Sequence, residues 1–415
     1  MTKTPTALDI AQARECYAQV RAHSLGLTRS LSVEDQSVQS MPDASPTKWH
    51  LGHTTWFFET LLLGALQPGD VPYDARLAYL FNSYYEALGP RHERSSRGLL
   101  TRPSLEEVLA YRQHVDVAVD GFLSALPLTE SSAALETLKL GLNHEQQHQE
   151  LLVTDIVHAF WRNPLLPAFA PAREFLQASQ RPTASAEWLG HPGGIVDIGH
   201  EGEAFVFDNE CPRHPVLLRP FAMADRLVTN GEYLAFIEDG GYQRPEFWLS
   251  DGWTTVRANA WRSPGYWIQR GELSIPCGPG RRDEWLTFGI DGLQPLDLSD
   301  AVTHLSFYEA AAYAQWADAR LPTEFEWEAA ASRPGMRQIA DRAWQWTRSS
   351  YEPYPGFRPH AGAASEYNGK FMVGQLVLRG GSIATPAGHA RPTYRNFFPA
   401  NTRWQIAGLR LAQDA

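Results

Sequence analysis

Residues 143–150 read "NHEQQHQE". His144 and His148 stand four apart, so on a helix both imidazoles lie on one face and can reach one metal ion. With Glu145 between them they spell H-E-x-x-H, the letters of a zinc-peptidase helix. A peptidase needs a further ligand downstream, and the extended pattern asks for glycine at 151 and histidine at 154. This chain has Leu151 and Thr154, and the next glutamate after Glu150 is Glu174. The peptidase reading therefore lacks its third ligand. The bland reading of so polar an octapeptide is a solvated helix face carrying two surface histidines.

Upstream, "KWHLGHTTWFFE" supplies His50 and His53. Either one, on a facing helix, completes a three-histidine set with His144 and His148. Three neutral imidazoles suit Zn, Fe or Cu by ligand type, and three protein ligands leave coordination positions open for substrate. Asp155, seven residues after His148 and on the same helical face, is a candidate to orient a ligand ring. Its alternative is a surface carboxylate.

The elements that must hold these residues are helical. Apolar residues recur at three-to-four spacing in four long segments of residues 1–165. The second opens at Ser45-Pro46, and the third at Ser104 with Glu107 three residues on, a capping box. Four such helices predict a four-helix bundle, in which facing helices aim side chains at a shared core site. Residues 166–187 lose periodicity to proline, alanine and serine and read as a linker. From Trp188 to Ala415 short apolar pieces alternate with Gly, Pro, Asn and Asp, an irregular α+β texture with one clear helix over 306–319.

The chain has 415 residues, enough for two domains. Its net charge of −11 argues against nucleic acid as a partner. No apolar run approaches the roughly 20 residues of a membrane span, and the N-terminus lacks a signal-peptide core. A cytoplasmic protein with small-molecule partners is expected. The three cysteines, Cys16, Cys211 and Cys277, form neither a disulfide framework nor a C-x-x-C site.

Two resemblances sharpen this. "LVTNGEYLAFI" (227–237), "VTHLSFYEAAAYAQWADARLPTEFEWEAAAS" (302–332), "WQWTRS" (344–349) and "LRGGS" (378–382) resemble, in order, the formylglycine-generating-enzyme/sulfatase-modifying domain, a C-type-lectin-like fold. That family uses a cysteine pair near its C-terminus, and here no cysteine follows Cys277, so its activity is not implied. "SPTKWHLGHTTWFFE" and "NHEQQHQE" ahead of that domain resemble the ergothioneine-biosynthesis sulfoxide synthases, DinB-like bundles fused to the same second domain. The fold implied is α plus α+β.

The resemblance implies Fe(II) at His53, His144 and His148, with His50 beside the ligands rather than among them. It implies O2-dependent joining of sulfur to the imidazole C2 of hercynine, a trimethylated histidine betaine. Gln147 and Asn396 match substrate-contacting positions, and Phe397 and Phe398 offer aromatic faces to the quaternary ammonium. Tyr84 and Tyr85 resemble the tyrosine pair of the cysteine-using subgroup and are the candidate proton donors. Arg91, Arg97, Arg391 and Arg395 are candidates to hold the donor's anionic groups. Phe398 stands where the γ-glutamylcysteine-using subgroup carries an acid, which favours cysteine. Cys211 and Ile383 depart from the subgroup's glycine and cysteine, which keeps a sister branch open: the selenoneine synthases, which join a selenosugar to hercynine. A non-catalytic, metal-stapled binding module and a DinB-type zinc thiol-transferase are the rival classes.

Overall fold

The computed structural model describes residues 6–66, 71–170, 185–275, 279–359 and 365–415. Of the expected linker, residues 171–184 lie outside the described residues, as does Cys277. The chain forms two compact units. One is Met1–Arg162 together with a later segment ending at Tyr367; the other is Asn163–Pro359 with Asn368–Ala415.

The first unit is helical: α1 (Ala7–Leu27), α2 (Thr47–Phe57), the short α3 (Arg76–Phe81), α4 (Leu105–Ala125) and α5 (Ser131–Arg162). Two of them start on capping boxes, Thr6 with Asp9 and Ser104 with Glu107, each satisfying backbone N–H groups that a helix start leaves open. Ser45 does not cap α2. Pro46 holds the cap position, while the Ser45 side chain accepts from Arg97. α2 runs on into a π-helical turn, Phe58–Leu63. α1 lies along α5, and α2 packs on both α4 and α5. Every residue of α2 is buried, so this helix is the wall against which the others close. Gly52 and Gly141 permit the closest approaches: an added Cβ would sit 2.3 Å from the Phe81 ring at the first and 2.5 Å from the Phe58 ring at the second.

Among the described residues, the second unit holds four small sheets. They are β1 (Trp188–His191) with β4 (Phe221–Ala224) and β12 (Ala412–Asp414); β2 (Gly194–Ile198) with β3 (His214–Leu218); β5 (Trp267–Gln269), β6 (Trp285–Gly289) and β7 (Gly292–Pro295); and the order β10-β9-β8-β11. That last sheet comprises β8 (Trp344–Ser350), β9 (Leu376–Gly380), β10 (Asn396–Phe398) and β11 (Ala407–Gly408). The expectation of a single helix here is too low. Besides α8 (Phe307–Trp316) the unit has α6 (Asn230–Glu238), α7 (Ser250–Ala258) and α9 (Glu324–Ala331). Capping boxes at Thr229/Glu232 and Thr323/Glu326 start two of them. Leu218, Phe221, Met223, Trp327, Ala330 and Ala331 make a buried cluster that seats α9 on the sheets.

Candidate metal centre

α2 and α5 bring three imidazoles together. One ring nitrogen from each of His53, His144 and His148 falls within 4.8 Å of the other two. His53 Nε2 and His144 Nε2 are 3.1 Å apart, and the His148 ring centroid is 4.6 Å from each of the other rings. The polar octapeptide is therefore not a solvated face: His144 and Glu145 are each 1% exposed. Burying such groups is costly unless each is partnered or serves a ligand.

Each ring is aimed by its neighbours. His53 Nδ1 donates to the Phe81 carbonyl at 2.6 Å, which leaves Nε2 with its lone pair. The ring is sandwiched between Trp49 and Trp56, with centroids 4.7 and 5.7 Å away. His144 Nδ1 is buried and has no hydrogen-bond partner among the described residues. Burial pushes all three histidines down, His144 to about 3; His53 is lowered further by the charge of His144, and His148 by that of His53. At neutral pH the cluster is thus three neutral imidazoles, the form that donates a lone pair to a metal. The donor set and its convergence fit a divalent transition metal.

Glu145, the middle letter of the motif, points elsewhere. Its carboxylate accepts from Arg21 Nη1 at 3.0 Å, Arg112 Nη2 at 2.5 Å and Ser24 Oγ at 2.6 Å. It is committed to a clasp between α5, α1 and α4, not to a metal-bound water, which removes the peptidase's general base along with its third ligand.

Around the histidines lie Gln147, half-buried, and the pair Tyr84–Tyr85, whose rings stack at 4.8 Å. Tyr85 is 0% exposed, and burial, then the neighbouring Tyr84, push its hydroxyl well above the ordinary phenol range. The sequence reading missed Tyr367. Its hydroxyl donates to Gln147 Oε1, and its ring meets His144 edge-on at 5.7 Å and Tyr84 at 6.4 Å. Nothing local marks it, because it arrives from 220 residues beyond Gln147.

The arginines are engaged. Arg91 is exposed and pairs with Glu86, 3.0 Å from Nε to Oε1. Arg97 is buried, with Nη1 on Ser45 Oγ at 2.9 Å and its guanidinium carbon 3.3 Å from the centre of the Trp49 ring. In the second unit Arg391 binds Glu210, while Arg395 binds both oxygens of Glu324, at 2.8 and 3.0 Å. Both work as cross-links of that unit, Arg391 half-buried and Arg395 buried, so taking up a donor's anionic group would mean giving up a carboxylate partner. Asn396 accepts from the Phe397 backbone N–H at 2.9 Å and sits on β10. Phe397 stacks on Tyr351 at 4.0 Å, and Phe398 packs edge-on to Trp404 at 6.3 Å; all three β10 residues are half-buried. No helix among the described residues is long and apolar enough to cross a membrane.

Comparison with known proteins agrees with this architecture. Residues 17–152 match the DinB superfamily, and residues 174–340 match the sulfatase-modifying factor enzyme 1-like domain. The formylglycine-generating enzyme of Streptomyces coelicolor is 34% identical over 177 residues, 40% of this chain and 52% of its own length. Hercynine oxygenase of Mycolicibacterium smegmatis is 29% identical over 426 residues, covering 91% of this chain and 92% of the relative. Hercynine oxygenase of Mycolicibacterium thermoresistibile is 30% identical over 425 residues, covering 90% and 88%. With both domain types in this chain and an alignment at 30% identity running through both, the chain belongs to the hercynine oxygenase family of ergothioneine-biosynthesis enzymes.

Proposed function

We propose that this protein is a non-heme iron enzyme that uses O2 to join a chalcogen donor to the imidazole C2 of hercynine, with cysteine as the donor. The observation that carries the reading is the buried, neutral three-histidine cluster in a chain related along most of its length to hercynine oxygenases. His53, His144 and His148 would hold Fe(II), which would supply the redox chemistry and a site for an anionic thiolate or selenolate. The protein's own groups position and protonate. Gln147 presents its amide beside the cluster and is itself fixed by Tyr367. A phenol kept in its neutral form is a proton donor, which gives that task to the tyrosine group of Tyr84, Tyr85 and Tyr367. Asn396, Phe397 and Phe398 are the second unit's candidates for hercynine.

The selenosugar-using alternative keeps the same acceptor, metal ligands and acid and differs only in the donor. The tyrosine pair places cysteine ahead of it, and Phe398 in place of an acid places γ-glutamylcysteine last. The test is anaerobic Fe(II) loading, then oxygen consumption with hercynine and mass spectrometry of products from cysteine, γ-glutamylcysteine and a selenosugar in competition. A carbon–sulfur adduct of cysteine is expected. A dominant carbon–selenium product would reverse the donor order, and no hercynine-dependent oxygen uptake would leave a metal-stapled binding module.

A further inference from the structure

His50 lies one turn before His53 on α2, and Asp155 lies two turns after His148 on α5. Both are buried, at 3% and 5% exposure. His50 Nδ1 is 2.9 Å from His148 Nδ1, and His50 Nε2 is 3.1 Å from Asp155 Oδ2. The same carboxylate oxygen accepts the Ser45 backbone N–H at 2.8 Å, immediately ahead of α2. The Arg97 guanidinium, which holds Ser45 Oγ, acts on Asp155 as a nearby positive charge. Asp155 does not touch a member of the histidine cluster; it reaches one through His50.

The donor and acceptor roles along this chain admit one arrangement for a neutral pair. A carboxylate only accepts, so His50 Nε2 carries the proton and donates to Asp155. A neutral His50 then has its lone pair on Nδ1, and His148 must donate from its own Nδ1. That leaves the lone pair of His148 on Nε2. The tautomer of His148 is therefore set from α5 by way of α2 and back. It also explains why His50 is not a ligand: both of its nitrogens are spent.

We propose that His50 and Asp155 form a positioning relay that locks His148 as the Nδ1–H tautomer and presents its Nε2 to the metal. The proposal rests on the reading of His53, His144 and His148 as the metal ligands. Partners of this kind commonly account for 10–100-fold in metal affinity. They do so by removing the wrong tautomer and the wrong ring orientation from the metal-free state, without touching the metal themselves.

The first test needs neither metal nor variant. Long-range 1H–15N correlations of the 15N-histidine-labelled, metal-free full chain report which nitrogen of each ring carries the proton. His148 is expected as Nδ1–H and His50 as Nε2–H; His148 found as Nε2–H overturns the relay. The second test is titration of the metal-free protein with Co(II), read by its visible absorption. His50→Leu removes both hydrogen bonds at similar volume and is expected to weaken binding about 10–100-fold. His50→Gln keeps an acceptor for His148 and a donor for Asp155, and is expected to restore affinity to within a few-fold. Equal affinity of His50→Leu and the wild type overturns the proposal, as does a glutamine variant no better than leucine. If the wild type binds no Co(II), or if His53→Ala binds as well as the wild type, the metal reading itself fails, and the tautomer measurement stands apart from that result.

Discussion

Replacing Glu145 separates two readings of the histidine motif. In a peptidase this glutamate is the general base, so its loss abolishes chemistry and spares the fold. In this structure it neutralises two buried guanidinium groups, and the outcome is reversed. Arg21 retains a second carboxylate partner, Asp116, at 2.6 Å. Among the described residues Arg112 has no other carboxylate partner; its remaining hydrogen bonds go to Thr54 Oγ1 and the Arg21 carbonyl. Burial alone raises the Glu145 pKa, but Arg112 and Arg21 overcome it and hold it at about 2. The displacement from an ordinary glutamate corresponds to ~3 kcal/mol of stability at neutral pH. Mutational experience with broken buried pairs gives a similar ~3–5 kcal/mol. Because the folded pKa is depressed, this stabilisation is complete above the unfolded glutamate's range and is lost as pH falls towards 2. For a unit of this size ~3–5 kcal/mol lowers the melting temperature by ~6–20 °C. Glu145→Ala should show that loss in calorimetry of the metal-free protein at pH 7, concentrated in the transition of the helical unit. At pH 2 the difference from the wild type should shrink. A variant that melts like the wild type at pH 7 would refute the clasp and return Glu145 to the list of reacting groups.

Three further outcomes are expected. Tyr84→Phe, Tyr85→Phe and Tyr367→Phe each delete one hydroxyl; the one that supplies the proton should slow product formation by roughly 10²–10⁴-fold in single-turnover assays with little change in hercynine binding, and three wild-type rates would place the acid outside this group. Gly52→Ala drives a methyl into the ring of Phe81, whose carbonyl aims His53; it should cost ~1–3 kcal/mol in denaturant titrations and weaken Co(II) binding together, and a change in only one would uncouple Phe81 from the site. Burial pushes His304 down to about 4 and His389 down to about 3, the latter helped by the charge of Arg391. Their unfolded forms take up protons that the folded forms refuse, so stability is lost as pH falls below ~6.5; at pH 5 each should cost the second unit ~2 kcal/mol, and equal denaturation midpoints at pH 5 and 8 would contradict this.

How far the sequence could be read depended on how far apart the interacting residues lie along it. His144 and His148 were legible because one helical turn separates them and the helix period is fixed. The capping boxes at Thr229/Glu232 and Thr323/Glu326 were equally local and could have revealed α6 and α9. Asp155 was legible as a carboxylate on the right face, but its route to His148 was not, because the intermediate, His50, sits on another helix. The role of Glu145 was not legible for the same reason. Its partners Arg21 and Arg112 are 124 and 33 residues away, and only the packing of α1, α4 and α5 brings them together. Arg391 and Arg395 read as candidates for a donor's anionic groups because their carboxylate partners, Glu210 and Glu324, lie far upstream.

A physical asymmetry follows from the same observations. Along α5, each successive residue turns about 100° around the axis. His144 and His148 therefore face α2, while Glu145, between them, faces α1 and α4. One polar octapeptide thus serves two interior surfaces, a histidine cluster on one side and an ion-paired clasp on the other. Neither surface is apolar, so both depend on complete pairing. The clasp pairs the Glu145 carboxylate with Arg21, Arg112 and Ser24; on the histidine side the Nε2 atoms of His53 and His144 converge to 3.1 Å. Three neutral imidazoles converging on one point of the interior are the arrangement expected of a binding site, and not of a core that merely tolerates histidines. The clasp then has a functional consequence: by fixing the rotation of α5 about its axis, Glu145 with Arg21 and Arg112 fixes where His144 and His148 point.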